Sequence, residues 1–249
     1  MSAIALGLQL YTLRNETAGD FVGTLGKVKE IGYQGVEFAG YGNLSAKELH
    51  HVLRDLDLTA VSSHIPLQEL EHHLDAWLEY NLQIGCSYIV CPWLPPERRN
   101  AYEILAETLQ QIGESCNQMG IQFCYHHHDF EFETINHHYA LDILLDANKQ
   151  TAVNLEMDIY WAAYAGTPMV PYIEKYQGRL PLMHLKDMES DAERAFAPVG
   201  TGQIDIEAAI AAGKEAGVKW FLVEQDVCKI DPFESIQISY DYLKGKGYV

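Results

Sequence analysis

The run Tyr125-His126-His127-His128-Asp129-Phe130-Glu131 closes an apolar stretch, Ile121 to Tyr125, with a burst of imidazoles and carboxylates. Three later apolar runs end in the same way. Val153-Asn154-Leu155-Glu156-Met157 delivers Asp158, Leu180 to Met183 delivers His184, and Trp220 to Val223 delivers Glu224. Imidazole nitrogen and carboxylate oxygen are the donors with which proteins hold divalent cations. Placed singly at the ends of successive parallel strands, they converge on one rim of a barrel. A lone His or Glu at a strand end is ordinarily a solvated loop residue, so the joint placement carries the argument. His50, His51, His72, His73, His137 and His138 have no such placement and read as surface; His137-His138 lies in the approach to a helix.

The elements needed to position these donors follow from the hydrophobic pattern. Short β-rich runs fall at Ile4 to Leu10, Gly35 to Phe38, Leu58 to Ser62 (ending near His64), Tyr88 to Cys91, Ile121 to Tyr125, Ala152 to Met157, Pro181 to Met183 and Lys219 to Val223. Helical spacing occupies Asp20 to Ile31, a segment capped by Ser45 with Glu48 three residues on, Gln68 to Leu82, about Pro96 to Met119, Tyr139 to Ala147, Pro168 to Tyr176, Asp205 to Ala216 and Pro232 to Leu243. Eight strands alternating with helices predict an α/β chain, a single (β/α)8 TIM barrel spanning residues 1–249. The rival, an open doubly wound sheet, announces itself by a glycine-rich first turn, and Leu8 to Arg14 has none. Gly200-Thr201-Gly202 follows no strand directly and reads as a turn before a helix.

Composition narrows the partners. A formal net charge of -18 at pH 7, with no basic tail or stripe, repels a phosphate backbone, so nucleic acid is not expected as a partner. No apolar run approaches the roughly 20 residues of a membrane span, and Met1-Ser2-Ala3-Ile4 lacks the basic start of a signal peptide; no membrane association and a cytoplasmic location are expected. Five cysteines without a C-x-x-C pair read as buried thiols of a reducing compartment. No dense Arg/Lys cluster offers itself to a phosphate, which favours an unphosphorylated ligand. A homo-oligomer is allowed.

The succession Tyr-His-His-His-Asp-Phe-Glu, Glu-Met-Asp-Ile-Tyr-Trp, Met-His-Leu-Lys-Asp, Val-Gly-Thr-Gly-Gln-Ile-Asp and Val-Glu-Gln-Asp resembles the sugar phosphate isomerase/epimerase family of xylose-isomerase-like TIM barrels, from Leu8-Gln9-Leu10-Tyr11 onward. The resemblance implies one divalent metal, Mn²⁺ first, with Mg²⁺, Co²⁺ or Zn²⁺ as alternatives, held by a Glu, Asp, His, Glu set. Asp158, His184 and Glu224 match the last three ligands. At the first, the family's Glu falls on His126, and the nearest available carboxylate is Glu131 in the following loop. Either His126 binds the metal, or the loop folds back so that Glu131 binds and the histidines face substrate. The preference of a hard ion for oxygen puts Glu131 first.

Such a site supports proton removal beside a carbonyl, the metal stabilising the enediolate. The resemblance implies that Glu131 and Glu224 act as acid and base, with His128 a further acid/base. Lys186 reads as a charge partner for an anionic oxygen, Glu156 as a pocket carboxylate, and His126, His64, Trp161, Trp93 and Tyr11 as substrate contacts. Return of the proton gives epimerisation or isomerisation of a sugar, the expected reaction. Expulsion of a β-substituent gives a dehydratase or lyase, the alternative to which His126-x-His128 is similar. Abasic-site endonuclease chemistry is excluded by the acidic charge and by Trp161, which stands where a three-zinc site needs another histidine. A sugar-binding barrel without turnover is the reading from another class.

Overall fold

A computed structural model describes residues 3–146 and 152–249. Its eight parallel strands close in chain order: β1 Leu6–Gln9, β2 Gly35–Phe38, β3 Thr59–His64, β4 Tyr88–Cys91, β5 Gln122–His126, β6 Val153–Asp158, β7 Leu182–Leu185 and β8 Trp220–Val223, with β8 pairing back to β1. The main helices between and after them are α1 Phe21–Ile31, α2 Ala46–Leu56, α3 Leu74–Ile84, α4 Tyr102–Gln118, α5 Ala140–Asp146, α6 Met169–Lys175, α7 Ile206–Ala216 and α8 Pro232–Gly245. This is the (β/α)8 barrel that the alternation predicts.

Side chains alternate across a strand, so each strand divides its residues between two cores. One set, including Leu8, Phe38, Ile89, Phe123, Leu155 and Met183, packs outward with the helices. The other forms a separate plug inside the barrel: Val61, Tyr88, Val90, Cys124, Leu182 and Leu222, with Trp220 against it. Two residues further along β5, β7 and β8, the positions after Cys124, Leu182 and Leu222 are His126, His184 and Glu224. The apolar plug therefore ends and the polar layer begins at the C-terminal rim.

One irregularity interrupts the pairing. Val36 stands opposite Ala60, but Glu37 stands opposite Ser62, so β3 carries an extra residue between them. A bulge of this kind re-aims neighbouring side chains. It sets Ser62 Oγ 2.5 Å from Glu37 Oε2 inside the barrel.

Several boundaries differ from the sequence pattern. The Ser45–Glu48 capping box forms as expected. The pattern over Gln68 to Leu82 is two helices, Leu67–His72 and α3, because His73 leaves the helical region at φ -135°. The long pattern from Pro96 is a 3-10 turn, Pro96–Arg98, followed by α4. His137 and His138 sit at a hairpin between Thr134–Ile135 and His138–Tyr139, whose turn residues Asn136 and His137 have φ of 48° and 69°. All six histidines read as surface are exposed. Ala147, expected to end a helix, and Met1-Ser2 lie outside the described residues. Among the described residues no helix is long and apolar enough to cross a membrane. The cysteines are all free, and only Cys228 is not fully buried.

Candidate metal centre

Four neighbouring strands each bring one donor to a common point. His126, Asp158, His184 and Glu224 are all buried, and their ligand atoms lie within 4.8 Å of one another. His126 Nε2 is 3.2 Å from Asp158 Oδ2, and His184 Nδ1 is 3.7 Å from the same oxygen. Asp158 divides its carboxylate between two tasks. Oδ1 accepts from the N–H groups of Tyr160 and Trp161 and so caps the helix Ile159–Tyr164, which leaves Oδ2 for the cluster.

The donor set fits a divalent ion. His184 Nδ1 and Glu224 Oε2 approach to 2.9 Å and both are buried; Oε2 is paired with Lys186 Nζ at 2.6 Å, whereas His184 Nδ1 has no hydrogen-bond partner. Buried polar atoms are otherwise nearly always bonded. Donors at metal-bond lengths of about 2.1 Å around one ion stand roughly 3 Å apart. Two imidazoles with two carboxylates suit zinc, manganese or cobalt better than magnesium.

Lys186 supplies the positive charge beside this set. Its Nζ lies 3.1 Å from Asp158, 2.6 Å from Glu224 and 2.8 Å from Asp226, with the side chain almost wholly buried. Burial pushes the ammonium towards neutrality, but Asp158, Asp226 and Glu224 outweigh it and hold Lys186 well above its usual range. Asp158 responds in the opposite sense: burial favours the neutral acid, while Lys186, His126 and His184 keep it well below the ordinary carboxylate range.

A second polar layer lies under the first. His184 Nε2 is 2.6 Å from Glu37 Oε1 and 3.5 Å from Glu156 Oε2, and His64 Nε2 is 3.1 Å and 2.8 Å from the same two oxygens. Gln9 Nε2 also donates to Glu37 Oε1, at 2.6 Å. Burial acts to lower His64, yet Glu37 and Glu156 raise it to about 10. Glu37 is fully buried and sits well below its usual range, because His64 and His184 together overcome its desolvation.

The expectation for Glu131 is corrected by the loop after β5. Its carboxylate accepts from Tyr125 Oη at 2.5 Å and from His128 N at 2.7 Å, and it is not among the clustered donors; His126 takes that place. Tyr125 is an outward-facing strand residue, so the 3-10 turn Phe130–Phe132 carries Glu131 to the helix side of the sheet. Burial pushes its carboxyl up to about 7, only partly offset by those two bonds. His127 also faces outward. Its Nε2 accepts from Asp158 N at 3.0 Å and its Nδ1 donates to His128 O at 3.0 Å, while burial lowers it to about 4, so the ring is neutral.

Above the donors opens a cavity of about 710 Å³. His64, His126, His128, Lys186, Glu224 and Asp226 line its charged part, and Tyr11, Tyr41, Trp77 and Trp93 an aromatic part. Of the expected substrate contacts, Tyr11, His64, Trp93, His126 and Lys186 line it. Glu156 and Trp161 do not: Glu156 is fully buried against His64, and Trp161 packs behind His128, ring centroids 5.3 Å apart. His128 Nδ1 is buried without a partner. Sequence reasoning passed over Glu37 and Asp226. Glu37 is the only charged residue in Gly35-Val36-Glu37-Phe38, and Asp226 falls two residues after Glu224; those were the available signals.

The turn at Gly200-Thr201-Gly202 closes on the protein itself. Asp187, just after β7, accepts from the N–H groups of Gly200, Gly202, Ile204 and Met188 at 2.8–3.0 Å. A Cβ on Gly202 would lie 2.3 Å from the Met188 carbonyl oxygen, so the turn requires glycine there.

Known proteins share this architecture. A family model described as xylose isomerase-like TIM barrel matches residues 25–245. An inosose dehydratase of Clostridium beijerinckii is 24% identical over 265 residues, an alignment covering 88% of each chain. A sugar phosphate isomerase/epimerase from Parabacteroides distasonis superposes with a TM-score of 0.83 at 23% identity, covering 98% of this chain and 94% of the other. The protein IolI, whose structure holds a zinc atom, superposes with a TM-score of 0.76 at 15% identity over 99% of each chain. With residues 25–245 of its 249 matched, the chain belongs to the xylose isomerase-like TIM barrel family.

Proposed function

We propose that the chain is a divalent-metal-dependent enzyme that removes a proton beside the carbonyl of an unphosphorylated keto-sugar or keto-polyol and expels the hydroxyl on the next carbon as water. The observation that carries this reading is the convergence of His126, Asp158, His184 and Glu224, with His184 Nδ1 buried and unpartnered, at the edge of a cavity lined by both charged and aromatic side chains. A divalent ion held by those four residues, Mn²⁺ or Zn²⁺ for a set with two imidazoles, supplies a Lewis acid for the substrate carbonyl.

The remaining groups divide the work. His128, with Nδ1 unpartnered and its ring held between Phe130 and Trp161, is the base; as imidazolium it returns the proton to the departing hydroxyl. Lys186 places a fixed positive charge where negative charge develops on oxygen. Tyr11 and Trp93 offer ring faces to the C–H faces of the substrate.

Elimination is preferred to isomerisation because the resemblance implies Glu131 and Glu224 as the acid and base that would take and return the proton, and Glu131 is turned away. The inosose dehydratase relative supports the same choice. Epimerisation is the second reading, favoured by His64, which lines the cavity from β3, away from His128. Incubation of zinc-loaded protein with an inosose and a panel of keto-hexoses in D₂O, followed by mass spectrometry and NMR, separates them. A product lighter by one water is expected. Deuterated sugar isomers without loss of water would transfer the assignment to an epimerase or isomerase.

A further inference from the structure

His184 belongs to both polar layers, and its two ring nitrogens do different things. Nδ1 faces Glu224 and Asp158 and makes no hydrogen bond, whereas Nε2 faces Glu37 Oε1 at 2.6 Å. A metal-ligating histidine is oriented, and its basicity raised, by a carboxylate on its other ring nitrogen. We infer that Glu37 is the positioning residue that holds the His184 Nε2–H and thereby commits Nδ1 to the cation; this rests on the metal reading above.

Glu37 is itself held on every side. Gln9 is its direct cross-strand neighbour on β1 and donates to Oε1, while Gln9 Oε1 in turn accepts from Tyr11 N at 2.9 Å. Ser62 donates to Oε2 because the bulge in β3 moves it opposite Glu37. In a regular register Val61 would stand there, and its side chain belongs to the apolar plug. The bulge thus replaces a methyl-bearing neighbour by a hydroxyl that anchors the orienting carboxylate.

The lower group, Glu37, His64, Glu156 and His184, could be taken for a second metal site, since its ligand atoms also lie within 4.8 Å of one another. Its geometry argues for protons instead. Nitrogen and carboxylate oxygen alternate around a closed ring of contacts at 2.6, 3.1, 2.8 and 3.5 Å, so each imidazole N–H already faces an acceptor. In the upper group, by contrast, His184 Nδ1 has no hydrogen-bond partner, while the unpartnered oxygen of the lower group, Glu156 Oε1, lies outside that ring.

The test uses the whole chain, Glu37→Gln, Ser62→Ala and the wild type, with Zn²⁺ and Cd²⁺ as probes. Gln preserves volume, and equal melting temperatures of the metal-free proteins check that it folds. Competition against a chromophoric chelator is expected to show Zn²⁺ binding weakened about 10- to 100-fold in E37Q and by a smaller factor in S62A. In the Cd²⁺-loaded wild type, ¹⁵N and ¹¹³Cd NMR of labelled histidine should place cadmium coupling on His184 Nδ1 and a slowly exchanging proton on Nε2, with that proton lost or shifted in E37Q. Wild-type affinity and an unchanged ring signature in E37Q would overturn the inference while leaving the metal reading intact. Two ions per wild-type chain, with cadmium coupled to His184 Nε2, would also overturn it. Absence of binding by the wild type would instead defeat the metal reading.

Discussion

The Tyr125 hydroxyl donates to Glu131 Oε1 at 2.5 Å, tying the glutamate nearest the histidine run to the outer face of the barrel. A fully buried carboxyl raised to about 7 keeps its proton over a range in which the unfolded chain, at about 4.5, has released it. The folded state therefore binds more protons between those values. Stability from this group is complete below about pH 4.5, declines as pH rises to about 7, and is flat above. Glu131→Gln cannot titrate. Relative to wild type it should gain on the order of 3 kcal/mol between pH 5 and pH 8, read from urea unfolding at both pH values.

Metal content separates the two arrangements of the first ligand. His126→Ala and Glu224→Ala should each lose most bound zinc by elemental analysis after desalting, whereas Glu131→Gln should retain it. Zinc retained by H126A and lost by E131Q would reverse the assignment.

His128 should separate binding from turnover. His128→Asn is expected to keep metal near one per chain while lowering turnover about 10²-fold or more, the usual worth of a positioned base. Equal loss of metal and activity would place the imidazole in the coordination sphere.

Lys186→Met removes the charge that three carboxylates share. Leaving buried carboxylates without a partner costs about 3–5 kcal/mol, so the metal-free variant should melt well below wild type. A divalent ion restores part of that charge. The rise in melting temperature on adding Zn²⁺ should therefore be larger for K186M than for wild type; equal shifts would argue that the ion sits away from Asp158 and Glu224.

The barrel was readable because every strand is a short apolar run bounded by helix signals, and because Ser45 with Glu48 announces its cap. Asp158, His184 and Glu224 were readable as a converging set because each ends an apolar run at the rim where successive strands stop. Glu131 was not, since its direction depends on a 3-10 turn and on the distant choice between Tyr125 and the cluster as partner. Glu37 escaped for another reason. A single carboxylate in a four-residue strand looks like a solvent-facing position, and the bulge that brings Ser62 to it leaves no mark in the residue pattern.

The Asp187 carboxylate spans four backbone N–H groups at the loop after β7, a region where barrels of this architecture frequently grip phosphate. The chain thus carries its own anion as a permanent tenant of that seat. Millimolar inorganic phosphate should neither compete with substrate nor raise the melting temperature. In a mixture of free and phosphorylated sugars, selectivity for the free ones would come from a place already taken, with no need for a group that repels phosphate.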